Sequence, residues 1–185
     1  MDNGFTSVMY DGSKLSLKNN INNTVKVAKL AKSYKISLEG EVGIVGYHNG
    51  KLSKGTEIIE ARKFANESGV DAMAISVGNT HLQTKKIAKI EISKIVDIQN
   101  VCKIPLVLHG SSGISYLMRK KIALQTNVAK FNIVTELRMV AGNSLRENIK
   151  NNVKSFDRLE LLKPTILQIK KQTKKIIKNL GVINE

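Results

Sequence analysis

The chain has 185 residues, 42% of them apolar, and 30 Lys plus Arg against 15 Asp plus Glu, a formal net charge of +15. That length and apolar share suit one folded domain, residues 1–185, with its own core, and the single cysteine, Cys102, excludes a disulfide framework or a cysteine zinc ribbon. No apolar run reaches the roughly 18 to 20 residues of a membrane span, and Met1-Asp2-Asn3-Gly4 lacks a leader pattern, so a cytoplasmic protein with no membrane partner is expected.

In chain order, short apolar segments alternate with longer helix-period segments. A strand is predicted at Thr6–Tyr10, a helix at Asn20–Tyr34, a strand at Ile36–Glu41 and a helix at Glu57–Ser68. Strand Ala72–Val77, helix Glu91–Asn100, strand Pro105–His109, helix Ser115–Gln125, strand Val128–Ile133 and helix Glu136–Asn148 follow. A last helix is predicted over Pro164–Leu180, with Pro164 at its start and Gly181 just past its end. Such alternation marks βα units and a parallel sheet or barrel.

The charge raises a nucleic-acid reading. Yet 25 of the 30 cations are Lys, Trp is absent, and no basic patch is interleaved with stacking aromatics. The excess reads as solvated helix faces, and no nucleic-acid partner is expected.

Polar or Gly-rich residues close every predicted strand: Asp11-Gly12-Ser13, Glu39-Gly40-Glu41, Gly78-Asn79-Thr80-His81, His109-Gly110-Ser111-Ser112-Gly113 and Asn132 to Thr135. In parallel α/β folds ligands bind at the carboxyl ends of strands, so these loops converge on one candidate site. His81 and His109 follow strands one βα unit apart, which places both imidazoles over the same pocket. Two histidines are one short of the usual three protein ligands of a catalytic zinc. His48, in a polar Gly-containing loop, reads as a surface residue. Gly110-Ser111-Ser112-Gly113 offers backbone N–H groups to an anion, and Asn132 and Thr135 offer side-chain donors beside it.

Taken together, six collinear motifs resemble the class II, zinc-dependent ketose-bisphosphate aldolases, closest to the fructose- and tagatose-bisphosphate members. They are Gly4-Phe5-Thr6-Ser7-Val8-Met9-Tyr10-Asp11-Gly12-Ser13, Leu38-Glu39-Gly40-Glu41-Val42-Gly43, Gly69-Val70-Asp71-Ala72, Gly78-Asn79-Thr80-His81, Leu106-Val107-Leu108-His109-Gly110-Ser111-Ser112-Gly113 and Lys130-Phe131-Asn132-Ile133-Val134-Thr135-Glu136-Leu137. The resemblance implies an α/β fold of the (β/α)8 TIM-barrel family. Such a barrel typically takes about 250 residues, so a partial barrel of five βα units, units 4 to 8, plus a C-terminal helix over 164–180 is expected.

The resemblance also implies roles. His81 and His109 match two of three zinc histidines, and Asp11 and Glu41 match carboxylates at a neighbouring position for a second mono- or divalent cation. Lys85, Gly110, Ser111, Ser112, Asn132, Ile133, Val134 and Thr135 match groups that hold the phosphate and hydroxyls of dihydroxyacetone phosphate. The implied reaction is Zn2+-dependent cleavage of a ketose 1,6-bisphosphate to dihydroxyacetone phosphate and glyceraldehyde 3-phosphate, without a lysine Schiff base. The family's acid/base Asp and remaining zinc His form an Asp-His pair, and the chain contains none. Leu82 stands where the family has Gly, Asn49 where it has a loop carboxylate, and Val134 where fructose-specific members often have Asp. Two expectations follow: a truncated or split aldolase, homo-oligomeric or completed by an N-terminal fragment, or an inactive remnant serving as an interaction subunit.

Overall fold

The computed structural model describes residues 3–47 and 53–181, so His48 and Asn49 lie outside the described residues. Five βα units follow one another: β1 (Ser7–Tyr10), α1 (Leu17–Ser33), β2 (Ser37–Val42), α2 (Ile58–Glu67), β3 (Ala72–Ile75), α3 (Ile92–Val101), β4 (Leu106–Leu108), α4 (Tyr116–Gln125), β5 (Val128–Phe131) and α5 (Thr135–Asn151). A final helix, α6 (Arg158–Asn179), packs against α5. The sheet is parallel throughout in the order β1-β2-β3-β4-β5, each strand pairing with the next in sequence. Sequential neighbours joined by helical crossovers are the progression of a β/α barrel, left open among the described residues between β1 and β5.

Strand alternation sorts the buried side chains by face. Leu38, Met73, Ile75, Leu106 and Leu108 meet Phe64, Ile95, Ile98 and Ile122 of the covering helices in one core. Gly40 lets α2 approach, since a Cβ there would stand 2.8 Å from the Phe64 ring. The alternate residues Glu39, Glu41, Ala74, Val107 and His109, all buried, occupy the other face, the interior of a barrel. Carboxylates and an imidazole on that face lead straight into the site.

Helix ends explain where the boundaries depart from expectation. Ser16 caps α1 by accepting from the Asn19 N–H, so the helix starts before Asn20. The larger correction is α6, which starts at Arg158 rather than Pro164, with the Asp157 side chain accepting from the Leu159 N–H. Pro164 therefore lies inside the helix and has no N–H for the Glu160 carbonyl. Asn148 of α5 supplies the missing donor: its Nδ2 donates to the Glu160 carbonyl at 3.2 Å and to the Leu161 carbonyl at 2.7 Å. At the other end Gly181, at φ +80°, ends the helix as expected.

Candidate active site

Loops at the carboxyl ends of β2, β3, β4 and β5, with the start of α5, form a pocket of about 240 Å³ lined by Tyr47, His81, Leu82, Gly110, Ser112, Asn132, Val134, Thr135 and Arg138. The loops are tied through their backbones: the Ser111 N–H donates to the Asn132 carbonyl at 3.1 Å, and the His81 N–H to the Gly46 carbonyl at 2.8 Å. Asn79 pins the β3 loop to the β4 loop, donating from Nδ2 to the His109 carbonyl at 3.0 Å while its Oδ1 accepts from the Val77 N–H at 2.8 Å. Gly110, at φ +62°, makes the turn that lets the β4 loop lie against Thr80.

Beside the pocket the His81 and His109 rings stand 6.0 Å apart between centroids. His109 is held by two carboxylates of β2: Nε2 lies 2.8 Å from Glu39 and Nδ1 lies 3.2 Å from Glu41. Glu39 also accepts from Lys130 Nζ at 2.6 Å. Burial opposes charge on His109, but the two glutamates outweigh it and raise its pKa to about 9. The same bonds from His109 and Lys130 overcome burial at Glu39 and hold its carboxyl below the ordinary range. His81 moves the other way, because burial and then the His109 charge lower its pKa against the carboxylates of Glu41 and Asp11. Asn20 of α1 fixes the end of β2, donating to the Glu41 carbonyl at 2.9 Å.

The expected site residues divide accordingly. His81, Gly110, Ser112, Asn132, Val134 and Thr135 line the pocket, with His109 and Glu41 buried next to His81. Asp11 is exposed and its Oδ1 accepts from the Ser13 N–H at 3.0 Å, within electrostatic reach of His81. Ser111 is buried and donates from Oγ to the Leu108 carbonyl, and Ile133 is half-buried; neither belongs to the lining. Lys85 is exposed and also stands outside it, whereas Lys86 donates to the Ser112 carbonyl at 3.2 Å. Glu39, Lys130, Tyr47 and Arg138 carried no role in the sequence reading. The signal for Glu39 was its i, i+2 spacing to Glu41 on one strand, which places both carboxylates on the same face.

A catalytic zinc needs about three protein ligands with free lone pairs. Both His109 nitrogens are spent on glutamates, and among the described residues no three His, Cys, Asp or Glu are arranged to hold a metal ion. The donor set of this arrangement does not fit a zinc by itself.

Parallel βα units with their loops gathered over two histidines and a polar pocket define part of a β/α barrel with a candidate site at the carboxyl ends of its strands. The family model described as "Fructose-bisphosphate aldolase class-II" matches residues 1–185, and the chain belongs to that family. It is 32% identical over 188 residues to a 6-phospho-5-dehydro-2-deoxy-D-gluconate aldolase of Shouchella clausii and 31% identical to a fructose-bisphosphate aldolase of Staphylococcus aureus. Those alignments cover 100% of this chain but only 64% and 65% of the relatives, so the chain spans under two thirds of their length. The crystal structure of the YdjI aldolase of Escherichia coli K12 superposes with a TM-score of 0.77 at 26% identity, covering 97% of this chain and 61% of that one. A putative fructose-1,6-biphosphate aldolase of Coccidioides immitis superposes with a TM-score of 0.81 at 21% identity, over 96% and 63% of the two chains, and shares the fold.

Proposed function

We propose that this chain carries the substrate-binding portion of an aldolase that cleaves a ketose 1,6-bisphosphate to dihydroxyacetone phosphate and glyceraldehyde 3-phosphate. The observation that carries the reading is the joining of His81, Gly110, Ser112, Asn132 and Thr135, from three successive loops, in one pocket beside His109. Hydroxyls, an amide side chain and the Arg138 guanidinium are groups that hold phosphate oxygens and sugar hydroxyls. In this reading the chain's own residues bind and orient the phosphorylated three-carbon half of the substrate. The zinc on which the family generally depends would take His81 from this chain and would need further ligands beyond those the described residues bring together. The chemistry is cytoplasmic carbohydrate metabolism of the glycolytic kind, and the working enzyme is an oligomer or a complemented assembly.

The test is complementation. The chain is co-purified with the N-terminal third of the Staphylococcus aureus relative, supplied with zinc, and assayed for dihydroxyacetone phosphate release. Turnover by the pair that disappears in His81→Ala supports the reading; a stable pair with no turnover on fructose or tagatose bisphosphate rejects it. One observation favours the alternative of a non-catalytic interaction subunit, namely the engagement of both His109 nitrogens by Glu39 and Glu41. That alternative predicts an inert pair.

A further inference from the structure

Behind the pocket several elements meet on one carboxylate. Glu136, in the first turn of α5, accepts at Oε2 from Lys86 Nζ (2.6 Å) and Arg119 Nη2 (2.7 Å). Its Oε1 accepts from Tyr116 Oη (2.7 Å) and Gln172 Nε2 (2.7 Å). The donors come from the β3–α3 loop, from α4 and from α6. The same residue reaches the pocket through its backbone, since its N–H donates to Ser112 Oγ at 3.1 Å. Lys86 closes the ring by donating to the Ser112 carbonyl. Arg119 is fully buried, donates from Nε to the Ile114 carbonyl at 3.1 Å and lies over the Tyr116 ring at 4.8 Å, and Glu136 is the one carboxylate paired with it among the described residues.

Glu136 is absent from the lining of the candidate pocket and lines a separate cavity of about 250 Å³ behind Ser112. Its carboxylate therefore stands behind the pocket wall rather than in the pocket. Its bonds instead set the distance between two pocket walls, Ser112 on the β4 loop and the Thr135 to Arg138 turn of α5. An anion held by hydroxyls and backbone groups depends on those groups being placed before it arrives. We propose that Glu136 is the positioning residue of the phosphate pocket, locking Ser112 and the start of α5 to the β3–α3 loop. This deepens the aldolase reading and rests on it.

The experiment titrates inorganic phosphate and dihydroxyacetone phosphate into the full chain by calorimetry, with thermal melts alongside. Glu136→Gln keeps the shape and removes the charge shared by Lys86 and Arg119. It is expected to weaken both ligands by about tenfold to a hundredfold, by analogy with the loss of an outer partner of a metal-ligating residue. Because Arg119 is then left uncompensated and the variant can unfold, Tyr116→Phe/Gln172→Leu removes two of the four donors without stranding a charge, and a smaller loss is expected. A merely structural role lowers the melting temperature and leaves the affinity of the folded chain unchanged; that outcome in either folded variant overturns the assignment. A wild-type chain that binds neither ligand overturns the aldolase reading as well, which separates the two failures.

Discussion

Gly110→Ala is the most exacting test of how the site is built. Gly110 sits at φ +62°, and a Cβ built on it would stand 2.3 Å from the Thr80 carbonyl oxygen, 2.5 Å from the Thr80 carbonyl carbon and 3.1 Å from the His81 nitrogen. Two penalties add: about 1–2 kcal/mol for a left-handed non-glycine residue and about 1–3 kcal/mol for overpacking. The second cannot be relieved by a rotamer change, because every atom struck is backbone. That backbone is itself held by the His81 N–H on Gly46 and by the Asn79 bond to the His109 carbonyl. The expected loss is therefore about 2–5 kcal/mol from these two effects, together with weaker phosphate binding as His81 moves. Gly4 is the control, at φ +78° with nothing within 4 Å of its Cβ position, so Gly4→Ala carries the strain without the clash. Urea denaturation of the three proteins separates the effects. Equal losses for Gly110→Ala and Gly4→Ala would show that the loop gives way freely and that the close approach to Thr80 fixes nothing.

Leu82 lines the pocket at φ +57° and is 54% exposed, so Leu82→Gly relieves strain and forfeits the burial of about half a leucine. About 1–2 kcal/mol of relieved strain is then offset by about 0.5–1 kcal/mol of glycine entropy and about 1 kcal/mol of lost burial, so a denaturant titration is expected to show a change within about 1 kcal/mol of zero. Asn148→Ala is expected to cost about 0.5–1.5 kcal/mol by removing its bonds to the Glu160 and Leu161 carbonyls, and less in a Pro164→Ala background, where the helix regains its own donor; an unchanged cost in that background refutes the role of Asn148. His109 has a folded pKa raised from 6.5 to about 9, so its contribution is fully present below pH 6.5 and lost as pH rises through about 9. The loss is on the order of 3 kcal/mol, read as a fall in urea midpoint that His109→Gln abolishes. Glu39 acts in the opposite sense, its pKa being lowered, so its contribution is present above 4.5 and disappears as pH falls below it.

The parallel βα order was legible because each strand is a short apolar run and each helix a long amphipathic one, and local period alone separates them. The loops at strand ends were legible for the same reason: once the strands are placed, their carboxyl ends are placed. The start of α6 was not, because Pro164 is a strong local signal for a helix start and the group that overrides it, Asn148, lies on a different helix. Glu39, Lys130 and Glu136 stood within recognised motifs without a role, since what each does depends on a partner far along the chain: 70 residues away for His109 to Glu39 and 91 for Lys130 to Glu39. Lys86 differs from Lys85 by one position, and only the turn of the loop decides which ammonium faces Ser112.

The two halves of the site are built with unequal independence, and that has a consequence for metal. The phosphate half is closed by bonds within three consecutive units, from Ser111 to Asn132 and from Glu136 to Ser112. The histidine half is satisfied differently, since Glu39 and Glu41 occupy both nitrogens of His109. An incoming metal must displace one of those carboxylates, whereas an incoming phosphate meets a pocket of about 240 Å³ already shaped by the loops. Phosphate affinity of the chain is therefore expected to be the same with a chelator as with added zinc, measured by calorimetry in both conditions. If binding appears only with zinc, the halves form one unit and the loop bonds described above do not by themselves organise the pocket.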